Sequence, residues 1–304
     1  MNNKLYNIYL NSICEIPDFL KKYLSLPALL RLKNIGYFCG MDYASKAIYD
    51  FKERISRYDH SLTVALITWK FTANRVMTVS ALLHDIATPC FAHAIDYMNK
   101  DYANQESTEA YTERIICNDE ALEKLLAKDN IKAEDIADFK KFPIIDNKRP
   151  KMCADRFDGI VLTGIAWTKT VFENDINEFV NDLAVFTNED GEQELGFKTK
   201  EIALKALETS QMIDKYCHSS EDNYMMELLA LITKKAIEND IIGYDDLYYY
   251  EEPQLLELIR KSNIKELKEL LNKFENIQAS EIPETKLDDV KPRVLKPLVA
   301  NKRI

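Results

Sequence analysis

Apolar residues recur at helical spacing through most of this sequence, and few residues interrupt the pattern. Leu62, Leu66 and Trp69 fall on one face of a segment that ends near Asn74. The next segment keeps the same spacing until Pro89 stops it. The 304 residues include only seven glycines and nine prolines, too few for a protein of many short strands and tight turns. The sequence therefore predicts an all-α fold.

One segment departs from this helical pattern. Residues 183–199, LAVFTNEDGEQELGFKT, place strand-forming residues on both sides of Asp190-Gly191. This arrangement is typical of two strands joined by a tight turn, so we expect one small β-hairpin in the helical fold.

The composition changes near residue 276. The last fourteen residues, KPRVLKPLVANKRI, contain five basic residues, two prolines and no acidic residue. We interpret residues 1–275 as one domain and residues 276–304 as an extended basic C-terminal tail. Such a tail is either solvated or disordered, or it docks on another subunit.

Charge and cysteine usage restrict the partners and the compartment. With 40 basic and 50 acidic residues the net charge is −10, which disfavours nucleic-acid binding but leaves room for a local basic pocket. The six cysteines are widely spaced and form no C-x-x-C pair, so we expect reduced thiols. Glu15 and Asp18 interrupt the N-terminal apolar stretch, and no apolar run is long enough to span a bilayer. We therefore expect a cytoplasmic protein without a membrane partner.

Three of the four histidines lie between residues 60 and 93, and His84 directly precedes Asp85. A histidine on an apolar helical face is usually a core residue with one hydrogen bond. Here, however, His60 on the preceding helix and Asp155 on a later helix could complete a set of ligands. Two imidazoles and two carboxylates form a mixed nitrogen and oxygen site that suits Mn²⁺, Fe²⁺, Ni²⁺, Co²⁺ or Zn²⁺.

The segments RYDHSLTVA, ALLHDIATPCFAH and ADRFD together resemble the motifs of the HD-domain superfamily of metal-dependent phosphohydrolases. The branch that they resemble most contains the deoxynucleoside triphosphate triphosphohydrolases, and the similarity covers roughly residues 25–270. The resemblance implies an HD-domain helical bundle in which His60, His84, Asp85 and Asp155 bind one divalent metal ion, while Mg²⁺ could accompany the substrate. It also suggests self-association into a homo-oligomer.

Carried over residue by residue, the resemblance also indicates contacts to a substrate. Arg57 and Arg156 would contact its phosphates, since a guanidinium forms paired hydrogen bonds to phosphate; the alternative is a surface ion pair. His93 matches a histidine that faces the phosphates, or it packs within a helix. Glu106 would orient or deprotonate the attacking water, or it caps the following helix. Tyr37 would stack on a nucleobase or only pack against its neighbours.

Four positions differ from the pattern of the branch. Thr88 and Gln105 stand where the triphosphohydrolases carry histidines, Tyr37 replaces a glutamine that helps recognise deoxyribose, and Gly159 replaces a tyrosine. Neither threonine nor glutamine titrates near neutral pH, so neither can act there as a general acid. These differences argue against deoxynucleoside triphosphates as the substrate.

The sequence thus predicts a metal-dependent phosphohydrolase that acts on a nucleotide or a related phosphoester or phosphoanhydride through metal-activated water. The alternative is a nucleotide-binding sensor or scaffold that retains the metal site and has little turnover. A third hypothesis, an HD-type nuclease, is disfavoured by the acidic net charge.

Overall fold

The computed structural model describes residues 3–105, 107–109, 111–285, 287 and 290–304. This part of the chain is mostly helical. Its helices are α1 (Lys4–Ile13), α2 (Asp18–Lys21), α3 (Pro27–Arg31), α4 (Arg57–Thr72), α5 (Arg75–Leu83), α6 (Ala94–Asn99), α7 (Thr112–Asn118), α8 (Glu120–Asp129), α9 (Glu134–Ala137), α10 (Ala154–Ala166), α11 (Glu173–Asp182), α12 (Lys200–Cys217), α13 (Ser220–Glu238), α14 (Glu252–Lys261) and α15 (Lys265–Asn276). Its strands are β1 (Leu183–Thr187), β2 (Gln193–Phe197), β3 (Leu298–Val299) and β4 (Lys302–Arg303). None of the described helices is long and apolar enough to cross a membrane.

Helix α4 lies at the centre of the fold. Every side chain from His60 to Thr68 is buried, because α1, α5 and α10 all pack against this helix. Such a helix needs apolar or small residues on all faces, which matches the sequence SLTVALIT. The prediction of a mostly helical fold is confirmed.

Local capping fixes where the two central helices begin. Ser56 and Asp59 form a capping box at the start of α4: the Asp59 amide donates to the Ser56 hydroxyl, and the Asp59 carboxylate accepts from the Ser56 amide. Asn74 caps α5 by accepting a 3.0 Å hydrogen bond from the amide of Met77. His60 therefore lies in the first turn of α4, and the short link between the helices brings the end of α5 back towards it.

The predicted β-hairpin is present, but the expectation that it is the only β-structure is wrong. Strands β1 and β2 pair antiparallel, with Leu183 opposite Phe197 and Thr187 opposite Gln193. Strand β3 then pairs parallel to β2, and β4 pairs antiparallel to β3, so the described sheet has four strands. The added strands have two residues each, which is too short to show the alternation by which a strand is recognised in sequence.

Strands β3 and β4 come from the segment that the sequence analysis separates as the C-terminal tail. This segment packs against the helical domain through the buried side chains of Val290, Leu295 and Leu298. It then runs beside β2, where the amide of Ala300 donates to the carbonyl of Phe197. The last residues of the chain are therefore part of the same folded unit as the central helices.

Candidate metal centre

Three helix ends meet at the candidate metal centre. His60 lies in the first turn of α4, Asp155 lies in the first turn of α10, and His84 directly follows the last residue of α5. Asp85 is next in the chain, and both imidazoles and the Asp85 side chain are buried. The structure thus brings together the four ligands predicted from three separate segments of the sequence, and each is carried on or beside a rigid helix.

The donor atoms lie at distances that a single ion can bridge. Nε2 of His60 is 2.9 Å from Oδ1 of Asp155 and 3.2 Å from Nε2 of His84. Nε2 of His84 is 3.7 Å from the same Asp155 oxygen, and the Asp85 carboxylate lies 3.9 Å from each imidazole Nε2. Ligands about 2.1 Å from an ion stand about 3.0 Å apart at a right angle and about 3.4 Å apart at a tetrahedral angle. The two imidazole nitrogens and the Asp155 oxygen therefore fit one divalent transition-metal or zinc ion, and the Asp85 carboxylate lies farther out, at 3.9 Å from each imidazole.

Hydrogen bonds on the far side of each imidazole fix its orientation. Nδ1 of His60 lies 2.7 Å from Oδ2 of Asp158, and the other Asp158 oxygen accepts a 2.7 Å hydrogen bond from the Tyr9 hydroxyl. Nδ1 of His84 lies 2.7 Å from the carbonyl oxygen of Ala81, in the last turn of α5. When Nδ1 donates its proton outward, Nε2 keeps a free lone pair that points into the centre.

The charges of the centre favour a cation. Burial lowers the pKa of His60, but hydrogen bonds to Asp155 and Asp158 outweigh it and raise that pKa to about 10. The pKa of His84 is also raised, because the carboxylates of Asp85 and Asp155 outweigh its burial. A site that stabilises protonated imidazole also attracts a metal ion, which binds the neutral ring in place of the proton.

Arg57 is buried beside the centre rather than exposed in a surface ion pair. One terminal nitrogen of its guanidinium donates a 2.9 Å hydrogen bond to Oδ2 of Asp85. The guanidinium carbon lies 5.1 Å from the centre of the Tyr37 ring, within range of a cation–π interaction. Its Nε is buried without a hydrogen-bond partner among the described residues. Arg57 therefore holds Asp85 in place, and its Nε–H remains available to donate a hydrogen bond to a bound molecule.

Two cavities meet at this centre. The first has a volume of about 170 Å³ and is called the aromatic cavity here. Its aromatic lining residues are Tyr37, Phe38, Tyr49, Phe51, Tyr97 and Trp167. The second has a volume of about 390 Å³ and is called the basic cleft. Its basic lining residues are Arg57, Lys148, Arg149, Arg156, Lys291 and Arg293. Both cavities share Arg57, His93, Gln105, Asp155 and Arg293. A ligand bound at the centre can therefore place an apolar ring in the aromatic cavity and an anionic group in the basic cleft.

Tyr37 fills space that Gly159 leaves open. A methyl group at position 159 would lie 2.8 Å from the Tyr37 hydroxyl, too close for an unshifted contact. The Tyr37 ring packs 4.9 Å from the His60 imidazole, centroid to centroid, and lines the aromatic cavity. The two departures from the family pattern at positions 37 and 159 are thus coupled in space, because the Tyr37 hydroxyl occupies the space that a β-carbon at position 159 would need.

His93 lies at the junction of the two cavities. Its Nδ1 is 2.8 Å from the buried Asp96 carboxylate, which also accepts a hydrogen bond from the amide of Ser107. Burial lowers the pKa of His93, so the ring is neutral at physiological pH. Asp96 thereby ties His93 to the segment that carries Gln105, which is buried between both cavities. Glu106, the predicted water-orienting residue, lies outside the described residues.

Thr88 is fully buried and does not line either cavity. Its backbone amide donates to the carbonyl of Asp85, and its hydroxyl has no hydrogen-bond partner among the described residues. The structure therefore places Thr88 in the packing behind the metal centre rather than at the substrate.

Arg156 lines the basic cleft, but most of its donors are already used. Its guanidinium donates to the side-chain and main-chain oxygens of Asn147, at 2.8 and 2.9 Å, and to the carbonyl of Lys151. It also lies 3.6 Å from the carboxylate of Asp146. Arg156 thus organises the loop that precedes α10, and this loop carries the cleft residues Lys148 and Arg149.

The sequence analysis does not identify four basic residues of the cleft: Lys148, Arg149, Lys291 and Arg293. Lys148 and Arg149 stand in a short basic run, NKRPK, just before the ADRFD motif, and this proximity is a usable signal. Lys291 and Arg293 belong to the C-terminal segment, and nothing local in the sequence connects them with His60 or Asp155.

Sequence comparisons show which known proteins this chain is similar to. No family model matches the chain. It is 23% identical over 258 residues to the Bacillus subtilis protein named uncharacterized protein YdhJ, across 84% of this chain and 75% of that protein. It is 26% identical over 133 residues to a Cordyceps militaris protein named metal-dependent phosphohydrolase cns2, across 44% of this chain and 38% of that protein.

Two solved structures share the fold. A hypothetical protein from Aquifex aeolicus superposes with a TM-score of 0.57 at 16% identity, over 85% of this chain and 71% of that one. A phosphohydrolase from Bacteroides thetaiotaomicron superposes with a TM-score of 0.54 at 15% identity, over 86% and 74%. The chain is thus similar in part to a protein named metal-dependent phosphohydrolase and shares the fold of these two solved structures, whereas membership of the HD-domain superfamily and of its triphosphohydrolase branch stays a prediction.

Proposed function

We propose that this protein hydrolyses a phosphate ester or phosphoanhydride of a small molecule, with a nucleotide as the leading substrate class, in a metal-dependent reaction. The observation that carries the proposal is the position of the ligand set at the junction of the aromatic cavity and the basic cleft. Similarity to a protein named metal-dependent phosphohydrolase supports the same reaction class.

His60, His84, Asp85 and Asp155 would hold one divalent ion. When bound, such an ion lowers the pKa of a water molecule to near neutrality and polarises a phosphoryl oxygen. The protein contributes the geometry: Asp158 holds the His60 ring and the Ala81 carbonyl holds the His84 ring. Arg57 keeps Asp85 in place through its 2.9 Å hydrogen bond.

The basic cleft would bind the phosphate groups. Its six basic side chains face four acidic ones, of which Asp85 and Asp155 are in the ligand set. A bound cation would therefore leave the cleft with a net positive charge, although the whole chain carries −10. A local positive cleft concentrates anionic substrates and holds them beside the reacting water, and this positioning accounts for much of the rate of phosphoryl transfer.

The aromatic cavity would take the organic part of the substrate. Its volume of about 170 Å³ compares with about 150 Å³ for an engineered apolar cavity that binds benzene. It therefore fits a single ring, such as a pyrimidine base or a pentose, in the present conformation. Tyr37 and Phe38 offer aromatic faces for stacking on such a ring.

His93 would accept a proton during the reaction. With its Nδ1 bonded to Asp96, the neutral ring presents Nε2 as an acceptor at the junction of the cavities. Glu106, which directly follows Gln105 in the chain, remains proposed as the residue that orients the attacking water.

Elemental analysis of purified protein and a hydrolysis screen test this proposal. We expect about one equivalent of a divalent transition metal or zinc per chain, and metal-dependent phosphate or pyrophosphate release from at least one nucleotide. Asp155→Asn should abolish both, whereas Asp59→Asn, which only weakens the cap of α4, should leave both in place. A metal-loaded wild-type protein that releases nothing from any nucleotide or simple phosphoester would overturn the proposal.

A second candidate function is a nucleotide-binding sensor or scaffold with little turnover. It is favoured by Gln105, which lines both cavities at a position where the resembling branch has a histidine. An amide can hold a substrate by hydrogen bonds but cannot transfer a proton to a leaving group. Tight nucleotide binding without product release would support this function over the first. The expected substrate is in both cases a small phosphorylated molecule, and a homo-oligomer stays a prediction by analogy.

A further inference from the structure

The C-terminal segment 290–304, called the strap here, passes along the wall of the candidate site. Its backbone is held at several points: the amide of Arg293 donates a 2.7 Å hydrogen bond to the Asp214 carboxylate, and the amide of Lys296 donates a 2.9 Å hydrogen bond to the carbonyl of Pro150. Pro150 belongs to the loop that precedes α10 and carries basic residues of the cleft. The strap is therefore attached to the parts of the fold that surround the metal centre.

The far end of the strap is fixed by an ion pair to a buried carboxylate. The Arg303 guanidinium donates to both oxygens of Glu194 on β2, at 2.9 and 2.8 Å, and to the Glu189 carboxylate at 2.7 Å. Glu194 has no exposed surface, and it also accepts a 3.0 Å hydrogen bond from the amide of Met152. A guanidinium that is paired in this way with a buried carboxylate holds its segment in one position.

Arg293 is one of these attachment points through its amide, and its side chain lines both cavities. Its Nε is buried without a hydrogen-bond partner, and among the described residues its guanidinium forms no ion pair with a carboxylate. Its main charged or polar neighbours are the Cys217 and Cys39 thiols, the Tyr37 hydroxyl and Asp222, whose carboxylate accepts a 2.6 Å hydrogen bond from Tyr49.

The Arg293 side chain is half-buried, and its buried Nε lacks the hydrogen-bond partner that a buried polar group normally has. A buried donor without a partner is costly, and an anion would satisfy it. By contrast, the guanidinium of the buried Arg57 at the same junction already has the Asp85 carboxylate as its partner. Arg293 therefore has the unused hydrogen-bonding capacity that a phosphate group would satisfy with paired hydrogen bonds.

We propose that Arg293, delivered by the strap, binds an anionic phosphate group of the substrate at the junction of the aromatic cavity and the basic cleft. The proposal rests on the proposed function for the identity of the anion as the substrate's phosphate. It adds a binding residue from the C-terminal segment, which lies outside the segments that resemble HD-domain motifs.

Binding of inorganic pyrophosphate to the full-length, metal-loaded protein tests this inference without reliance on turnover. Isothermal titration calorimetry compares the wild type with Arg293→Gln, Arg293→Lys and Lys296→Gln. We expect Arg293→Gln to weaken pyrophosphate binding by at least about tenfold, the size of effect that a charge-assisted hydrogen bond produces. Arg293→Lys keeps the charge but not the planar fork, so its affinity should fall between those of Arg293→Gln and the wild type.

Lys296→Gln is the matched control, because it removes one positive charge from the same strap at an exposed side chain outside both cavities. It should bind pyrophosphate within about twofold of the wild type, in line with the weak effect of a single screened surface charge. Equal losses in Arg293→Gln and Lys296→Gln would mean a general charge effect and would overturn the proposal. Wild-type affinity in Arg293→Gln, with an unchanged melting temperature, would also overturn it.

Two further outcomes separate this inference from the proposed function. If Arg293→Gln does not fold, the Arg293→Lys protein serves as the test instead. Unchanged pyrophosphate affinity in a folded Arg293→Lys protein would overturn the proposal that the planar guanidinium of Arg293 binds the anion. If pyrophosphate binding depends on Arg293 but no phosphate compound is hydrolysed, the anion site stands and the proposed hydrolase function fails. If the Arg293→Gln protein hydrolyses its substrate with full activity, the proposed hydrolase function stands and the proposed role of Arg293 fails.

Discussion

Nδ1 of His60 lies 2.7 Å from Oδ2 of Asp158, a carboxylate with no exposed surface that lies one helical turn after Asp155. One turn of α10 thus supplies both a candidate ligand and the residue that orients another ligand across the helix interface. We expect Asp158→Asn to reduce metal affinity by about 10- to 100-fold, because an outer carboxylate fixes the ring and increases its basicity.

Competition with a chromophoric chelator measures this change. Asp59→Asn, in the first turn of α4, is the control for a general loss of helix stability, since Asp59 only caps that helix. Equal metal affinities in wild type and Asp158→Asn would show that Asp158 is a structural residue without influence on the centre.

Removal of the metal should lower the thermal stability of the protein. The ion would join helices α4, α5 and α10, and a ligand that binds only the folded state stabilises it by about 4 kcal/mol at a thousand times its dissociation constant. At about 2–4 °C per kcal/mol for large domains, we expect chelation to lower the melting temperature by roughly 10 °C. Calorimetry with and without a chelator measures this shift. In Asp155→Ala, which loses one ligand, the chelator should have almost no effect, and an equal shift in that variant would argue against the proposed site.

The extent to which the sequence predicts this site differs from residue to residue. The start of α4 is readable locally, because Ser56-x-x-Asp59 before an apolar run is a capping box. The approach of His60 to Asp155, which are 95 residues apart, cannot follow from periodicity, and only the resemblance to HD-domain motifs predicts it. Periodicity gives the face of a helix that is buried but not the helix that it meets.

The contribution of the strap was missed for a different physical reason. Its attachments are pairings across long sequence distances, such as Arg303 with Glu194, and its strands have two residues each. The basic, proline-containing composition predicts an extended segment but does not say what the segment contacts. The close approach of Tyr37 to Gly159 is also visible only in space, since it depends on how the turn that carries Tyr37 meets helix α10.

A histidine at position 105 should increase turnover if proton transfer limits the reaction. Gln105 lines both cavities and has a positive φ of 58°, a conformation that histidine adopts more readily than most residues. General acid–base groups contribute about 10²- to 10⁴-fold to rates, so we expect Gln105→His to increase kcat at least about tenfold with little change in KM.

The rate should also acquire a dependence on a group that titrates near pH 6.5, the ordinary value for histidine. Gln193→His, at an exposed position on β2, is the control for the introduction of an imidazole. Unchanged kcat in a Gln105→His protein that still binds substrate would show that the absent histidine does not limit turnover.

Glu252, at the start of α14, joins the two loops that carry Tyr37 and His93. Its carboxylate oxygens accept hydrogen bonds from the amides of Gly36 at 3.0 Å and Phe91 at 3.1 Å. Burial raises the pKa of Glu252 from 4.5 to about 8, despite the opposing effect of these hydrogen bonds. Between pH 4.5 and about pH 8, Glu252 is protonated in the folded state but ionised in the unfolded chain. The free energy of unfolding therefore falls as the pH rises through this window, and the loss is complete above about pH 8.

Asp42 and Asp222 act in the same direction, but burial raises the pKa of each only to about 6. A comparison of pH 6 with pH 8 therefore isolates most of the Glu252 effect. Urea unfolding of the metal-loaded protein should show that the wild type loses about 2 kcal/mol more than Glu252→Gln over this interval, because glutamine cannot ionise. Glu257→Gln, exposed on the same helix, should follow the wild type. Parallel pH dependences in wild type and Glu252→Gln would mean that Glu252 is ionised throughout, with its charge satisfied by the two loop amides.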